Sequence, residues 1–412
     1  MSNPLLVGID VHRKTNTVAL MERSGREVAP PFTVTNNRPG TAALAQKLGA
    51  FAAEEGYDAI QVAAEATGWY WWHFFRTLDD DPFLKQRPLT LYPFNPRLTA
   101  HFKKTYADLD KTDLIDAFVI ADRLRLGRDL PQPFAYDETG LALRFLTRHR
   151  FHLVHQTVRE KAYFMAHLYL KASEYTHLKP FGDIFGATSR AILQGSPAME
   201  AIAAIPFDDL VEIIDVQGKR RFADPADNAR KMQAVAQDSY LLPEALQAPL
   251  NLILRQALQQ IDALQRQVQR TEAAIAEALQ NWPHTLDTVP GLGFVFSAGI
   301  ISEIGNLARF AYDEAKVAKF AGFKWRKTQS ADFQAEETRL THTGNRYLRY
   351  YLCEAANSVR MHDAEYRTYY ERKYHEVRLH QHKRAIVLTA RKLVRLVVRL
   401  LTTNQPYRPR RI

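Results

Sequence analysis

Four acidic residues, far apart in the chain, stand in local settings suited to phosphoryl-transfer chemistry. Asp10 ends the apolar run Leu5-Leu6-Val7-Gly8-Ile9-Asp10, and Glu65 follows the apolar stretch Asp58–Ala64. Asp113 and Asp116 are three residues apart in DKTDLIDA, a spacing that puts both on one helix face. Taken singly, each acid reads as a surface or capping residue. Asp10 is the exception, because a carboxylate in an apolar strand costs several kcal/mol unless it is paired or metal-bound. Acids brought together repel and call for cations. Two Mg²⁺ ions about 4 Å apart, with Mn²⁺ as a substitute, activate a nucleophile and stabilise the leaving oxygen of phosphoryl transfer.

Other stretches add to the chemistry. The basic run Phe320-Ala321-Gly322-Phe323-Lys324-Trp325-Arg326-Lys327-Thr328-Gln329-Ser330 carries two hydroxyls. Arg339-Leu340-Thr341-His342-Thr343-Gly344-Asn345-Arg346-Tyr347-Leu348-Arg349 follows it closely. A free serine has no special acidity and needs a base or a metal to become a nucleophile. Pro290-Gly291-Leu292-Gly293 precedes an apolar helix; such a turn either holds a nucleic-acid phosphate on its backbone N–H groups or merely starts the helix. His149, His152 and His155 share a helix but diverge around it, a poor ligand set. Trp69, Tyr70, Trp71 and Trp72 either stack bases or, the favoured reading, fill the core beneath Glu65.

The elements that must position these residues follow from hydrophobic periodicity. Strands are expected at Leu5–Asp10, Thr15–Met21, Phe32–Thr35, Asp58–Ala64 and Leu89–Leu91. Helices are expected from Pro39, over Trp69–Leu78 and over Thr112–Leu124. Three strands followed by alternating helices and strands is the order of an RNase H-like domain, whose first and fourth strands are neighbours with the final helix beside them. Residues 1–135 are assigned to it. Residues 136–283 read as long helices with an inserted, mostly helical segment at about 176–245. In the second long helix Leu254, Ile261, Val268, Ile275 and Trp282 recur every seven residues. That pattern suits a coiled coil, with packing on its own domain as the alternative. Residues 284–402 form a mostly helical C-terminal domain ending in a basic helix with Arg391, Arg395 and Arg399 off its apolar face, and 403–412 a basic flexible tail. The fold class is therefore α/β plus α.

Bulk properties narrow the function. The chain has 412 residues, 46% of them apolar, enough for two or three cores. No apolar run is long enough to span a bilayer and the start lacks signal-peptide features, so a cytoplasmic location with no membrane partner is expected. The single cysteine, Cys353, excludes an internal disulfide and a CxxC metal site. The net charge is +10 at a pI of about 9.5. From Thr341 onward there are 16 Lys/Arg against 5 Asp/Glu, so the excess sits in the last quarter, as suits a polyanion-binding surface.

GIDVHRKTNTVA, AAEATGWYWW and KTDLIDAFVIADRLR resemble the three signatures of the DEDD transposases, the bridge-RNA-guided insertion-sequence recombinases. The resemblance implies a Holliday-junction-resolvase-like N-terminal domain, a coiled coil and a C-terminal transposase domain, with Asp10, Glu65, Asp113 and Asp116 as the metal-binding tetrad. The block from Phe320 to Arg349 resembles the family's C-terminal block, and Ser330 matches its nucleophilic serine. Ala331 stands where relatives usually carry glycine, and Thr328 is the rival hydroxyl. The implied activity is metal-dependent DNA cleavage and strand transfer through a phosphoserine link. The implied partners are the DNA of element ends and target, a structured noncoding RNA, and further copies of the chain as a dimer or tetramer. Gly291, Gly293, Lys324, Arg326, Lys327, Asn345, Arg346, Arg349, Arg391, Arg395 and Arg399 are the expected nucleic-acid contacts. The alternatives are a four-way-junction nuclease using water, a site-specific DNA invertase, and a non-catalytic nucleic-acid scaffold.

Overall fold

A computed structural model describes residues 3–106, 109–128, 130–135, 137–195, 199–325, 329–330, 333–334, 340–341 and 343–409. The chain divides into two compact units, Met1–Glu138 and Thr139–Ile412.

The first unit is built on strands β1 (Pro4–Val11), β2 (Thr15–Met21), β3 (Glu27–Thr35), β4 (Ala59–Glu65) and β5 (Leu89–Phe94). The sheet order is β3-β2-β1-β4-β5. β1 pairs antiparallel with β2 and parallel with β4, and β4 pairs parallel with β5. Helices α1 (Arg38–Glu54), α2 (Tyr70–Asp80), α3 (Pro96–Lys103) and α4 (Asp113–Leu126) cover it. Every residue of β1 is buried, which explains its nearly continuous apolar run. Leu5, Val7 and Ile9 pack with Leu44 and Leu48 of α1 and Phe74 and Phe75 of α2. Leu6 faces the other way, toward Ala117, Ile120 and Ala121 of α4. Gly8 shares that second face, since strand side chains alternate. A Cβ on Gly8 would lie 2.2 Å from the Ala117 carbonyl oxygen, so α4 rests directly on β1 only because residue 8 has no side chain.

Local chemistry fixes the ends of α4. Thr112 Oγ1 accepts from the Ile115 amide at 3.3 Å, and Gly127 closes the helix in the left-handed region at φ 65°. α3 was absent from the expected elements. Its signal is Asn95-Pro96: Asn95 Oδ1 accepts from the Arg97 amide at 3.0 Å, and proline occupies the first helical position.

Among its described residues the second unit is helical apart from one two-stranded pairing and a bridge between Trp325 and Leu340. α5 (Glu138–Lys171) and α11 (Glu244–Leu279) run antiparallel; Arg150 Nε donates to Glu272 Oε1 at 2.7 Å, and Phe164 and Leu168 share a buried cluster with Leu254, Leu258 and Ile261. Between them lie the short helices α6 (Tyr175–Leu178), α7 (Ala187–Gly195), α8 (Met199–Ala203), α9 (Phe207–Gln217) and α10 (Pro225–Asp238), which close over that cluster. α12 (Phe294–Ile304), α13 (Glu314–Ala321), α14 (Arg346–His362), α15 (Ala364–His375) and α16 (Gln381–Thr403) form the later part of this unit. The main apolar cluster there joins Ile300, Tyr351, Leu352, Leu393 and Val397. β6 (Gln329–Ser330) pairs antiparallel with β7 (Phe333–Gln334).

Within the expected flexible tail, Gln405 and Tyr407 have partners in the fold, while 410–412 lie outside the described residues. Thr285 Oγ1 donates to the Gln405 carbonyl at 3.0 Å, the Tyr407 amide donates to Thr288 Oγ1 at 2.8 Å, and the Tyr407 hydroxyl donates to Asp363 Oδ2 at 2.7 Å. Tyr407 also packs on the apolar cluster, an aromatic anchor that composition does not reveal.

Candidate active site

Strand alternation and the Gly8 contact together build the carboxylate cluster. Asp10 continues the face of Leu6 and Gly8, and lies only 9% exposed. Glu65 shares that face on β4, two residues beyond Ala63, which packs in the cluster under α4. Asp113 and Asp116 occupy the first turn of α4, where the exposed N–H groups and helix dipole favour negative charge.

Asp10 and Glu65 feel the acids around them. Burial raises the Asp10 carboxyl above the ordinary aspartate range; His12 opposes this, while Asp116 and Asp113 add to it. Burial also raises Glu65, reinforced by Asp10 and Asp116 and opposed in part by Arg123. Two basic side chains belong to the cluster that sequence reasoning did not single out. His12 Nε2 lies 3.1 Å from Asp10 Oδ2 and 3.3 Å from Asp113 Oδ1. Lys103, at the end of α3, donates from Nζ to Asp116 Oδ1 at 2.6 Å. His12 was legible as a neighbour of Asp10 in GIDVH, but Lys103 required α3. Ligand atoms of Asp10, His12 and Asp113 all lie within 4.8 Å of one another, the one such group among the described residues. Buried or clustered carboxylates plus an imidazole are a donor set that fits a divalent cation.

Aromatic residues near Glu65 divide. Trp71 packs edge-on against Phe75 and Phe134, at 5.6 and 5.9 Å between centroids, as core packing requires. Trp69 and Tyr70 remain about half exposed. The histidines of α5 find local partners: His149 stacks on His152, and His155 packs on Phe151.

In the second unit the backbone of Ser330 pairs with Phe333 between β6 and β7; its side chain, with Arg326, Lys327 and Thr328, lies outside the described residues. Lys324 is exposed. Asn345, an expected nucleic-acid contact, has its side chain engaged within the fold. Its Oδ1 caps α14 by accepting from the Tyr347 and Leu348 amides, and its Nδ2 donates to Glu303 Oε2 at 2.7 Å. Glu303 is buried and also receives two bonds from Arg148, at 2.6 and 2.9 Å. Arg346 lies over the Tyr347 ring, and Arg349 Nη1 donates to the Thr343 carbonyl at 3.3 Å.

Gly291 adopts φ 86°, and a Cβ there would meet the Ser358 carbonyl at 2.9 Å, so packing against α14 is sufficient reason for this glycine. Gly293 is exposed at the start of α12. On α16, Arg391 is half-buried, Arg395 pairs with Glu314 at 2.7 Å, and Arg399 is exposed. Arg395, Arg399, Lys392 and Arg408 line a cleft of about 430 Å³ beside the returning tail. No helix among the described residues is long and apolar enough to cross a membrane.

Comparison with known proteins finds two family matches. Residues 7–171 match the transposase model of the IS110-type DEDD family, and residues 283–371 match the transposase model of the IS116/IS110/IS902 family. The chain is 26% identical over 327 residues to a 42 kDa protein of insertion element IS900 from Mycobacterium paratuberculosis, covering 76% of this chain and 77% of that protein. It is 24% identical over 314 residues to a 44.8 kDa protein of insertion element IS116 from Streptomyces clavuligerus, covering 74% of each.

Proposed function

The chain belongs to the IS110 family of DEDD transposases, and on that premise we propose that it cuts and rejoins DNA at an RNase H-like carboxylate site with a separate serine nucleophile. The observation that supports the reading is geometric: Asp10 and Glu65 lie at the ends of neighbouring parallel strands, and a ligand atom of Asp113, in the first turn of α4, lies within 4.8 Å of one of Asp10. The strand order, with β1 flanked by antiparallel β2 and parallel β4, supports the RNase H-like assignment.

Asp10, Asp113, Glu65 and Asp116 would hold Mg²⁺ or Mn²⁺. Bound there, divalent cations supply charge stabilisation at a phosphate and activation of its attacker. The chain's own residues have distinct tasks. Asp10 is the buried anchor of the donor set, and Lys103 balances the charge of Asp116. Ser330 Oγ attacks a DNA phosphorus after losing its proton to a base. An Oγ–P bond forms and the P–O bond to the leaving strand breaks, releasing that strand as a hydroxyl. Reversal on a second strand completes transfer. Lys324, Arg326, Lys327, Arg346, Arg349, Arg391 and Arg399 are assigned to phosphates, with Gly291 and Gly293 at the α12 turn. A structured noncoding RNA is the proposed guide. A dimer or tetramer, paired through α5 and α11 as a coiled coil, is the proposed assembly, because strand exchange needs paired cuts.

The test is covalent trapping. Protein, element-end DNA, flanking noncoding RNA and Mg²⁺ are incubated and denatured, for wild type and Ser330→Ala. A DNA-shifted band lost in the variant supports the serine mechanism. Cleavage without a covalent band in either protein identifies a water-using junction nuclease instead.

A further inference from the structure

His12 stands outside the four acids yet sits between two of them. Its Nε2 is 3.1 Å from Asp10 Oδ2 and 3.3 Å from Asp113 Oδ1. In an octahedral site with bonds near 2.1 Å, adjacent ligand atoms are about 3.0 Å apart. Both separations are close to such an edge. A single Nε2–H can point at only one of the two oxygens, whereas a cation among the three atoms engages all of them. The backbone makes the arrangement durable. His12 lies just past the end of β1, where its amide donates to the Thr15 carbonyl at 2.9 Å, and Asp113 is fixed as the first residue of capped α4. The His12 side chain is 49% exposed and that of Asp113 59%, so the group opens to solvent. Asp116, by contrast, is engaged by Lys103.

We infer that His12 Nε2 is a ligand of one divalent-cation site together with Asp10 and Asp113, and that this nitrogen shifts the site toward Mn²⁺ and Co²⁺ relative to Mg²⁺. The inference rests on the metal-dependent reading above. An all-oxygen site suits Mg²⁺, whereas an imidazole nitrogen suits later divalent metals, whose affinity rises along the first transition row. Substituting His12 therefore costs Mn²⁺ more than Mg²⁺. The expected loss is at least the roughly ten-fold that even an outer-shell partner of a metal is worth.

The experiment uses the full chain and Mn²⁺ alone, without DNA. Mn²⁺ affinity is measured by paramagnetic titration, and the ligand atoms by electron spin-echo modulation, in wild type, His12→Gln and Asp10→Asn. Circular dichroism confirms that each variant is folded. The expected result is nitrogen modulation in wild type that His12→Gln removes. Mn²⁺ affinity should fall about ten-fold or more in that variant, and the excess of Mg²⁺ needed to displace Mn²⁺ should fall similarly. Mn²⁺ binding that Asp10→Asn abolishes but that shows no His12-dependent nitrogen would overturn the inference and leave the carboxylate metal site standing. Failure of wild type to bind Mn²⁺, or binding unchanged by Asp10→Asn, would overturn both.

Discussion

Lys103 Nζ donates to Asp116 Oδ1 at 2.6 Å, so one arm of the acid cluster carries a cation of its own. A lysine in that position competes with a divalent metal for the same oxygen. Lys103→Met should therefore tighten Mn²⁺ binding by up to about five-fold, while lowering metal-free stability by no more than about 1 kcal/mol, the usual scale of a part-exposed ion pair. Calorimetric titration checks the first and thermal melting the second. Weaker Mn²⁺ binding would show that Lys103 orients Asp116 for the metal rather than competing with it.

Asp10 gives a pH signature. Burial makes the folded state hold the Asp10 proton more tightly than the unfolded chain does. Between the unfolded and folded pKa values the native state binds more protons, so this residue's contribution to stability falls as pH rises through the range just above the ordinary carboxylate value. Metal-free Asp10→Asn should lack that decline and melt higher than wild type at neutral pH. Strand transfer should be abolished in the same variant. Parallel melting curves across pH for the two proteins would contradict the assignment of a strained, buried charge.

Gly8 is tested by adding one methyl group. With the Ala117 carbonyl only 2.2 Å from the site of a new Cβ, Gly8→Ala must push α4 away from β1. Overpacking of this type costs about 1–3 kcal/mol. Because Asp113 and Asp116 ride on α4, Mn²⁺ affinity should fall at least ten-fold even at temperatures where the variant is folded. Unchanged metal affinity would separate the site from the β1–α4 contact.

Glu303 and Asn345 distinguish structure from nucleic-acid contact. Glu303→Ala leaves Arg148 without its two-pronged partner and should cost about 2–4 kcal/mol in chemical denaturation, somewhat below the value for a fully buried pair. Asn345→Ala should cost about 1 kcal/mol through the lost α14 cap. The salt dependence of DNA binding by folded Asn345→Ala should match wild type. A flattened slope would return Asn345 to the phosphate contacts.

The basic helix offers a graded test. Each phosphate contact contributes about 0.9 to the slope of log affinity against log salt. Arg395 is paired with Glu314 and Arg391 is half-buried, whereas Arg399 is exposed. Removing all three charges should therefore reduce the slope by about two contacts rather than three, with Arg399→Gln alone giving about half of that. An unchanged slope would place the nucleic acid elsewhere.

The strands and long helices are readable from the chain, because period-two and period-3.6 apolar patterns are local properties. Asp10 stands out locally as a carboxylate inside an apolar run, and Asp113 and Asp116 by their shared-face spacing, while the grouping of all four acids and the choice of Ser330 rest on family resemblance. Everything else depends on how the elements pack. α3 is short, and its importance lies in delivering Lys103 to Asp116 across 13 residues. The bond between Asn345 and Glu303 spans 42 residues, and that between the Tyr407 hydroxyl and Asp363 spans 44. The cause is common to all three: a side chain's partner is set by which backbones pack together, and that packing turns on contacts such as Gly8 against Ala117, which leave no periodic trace in the chain.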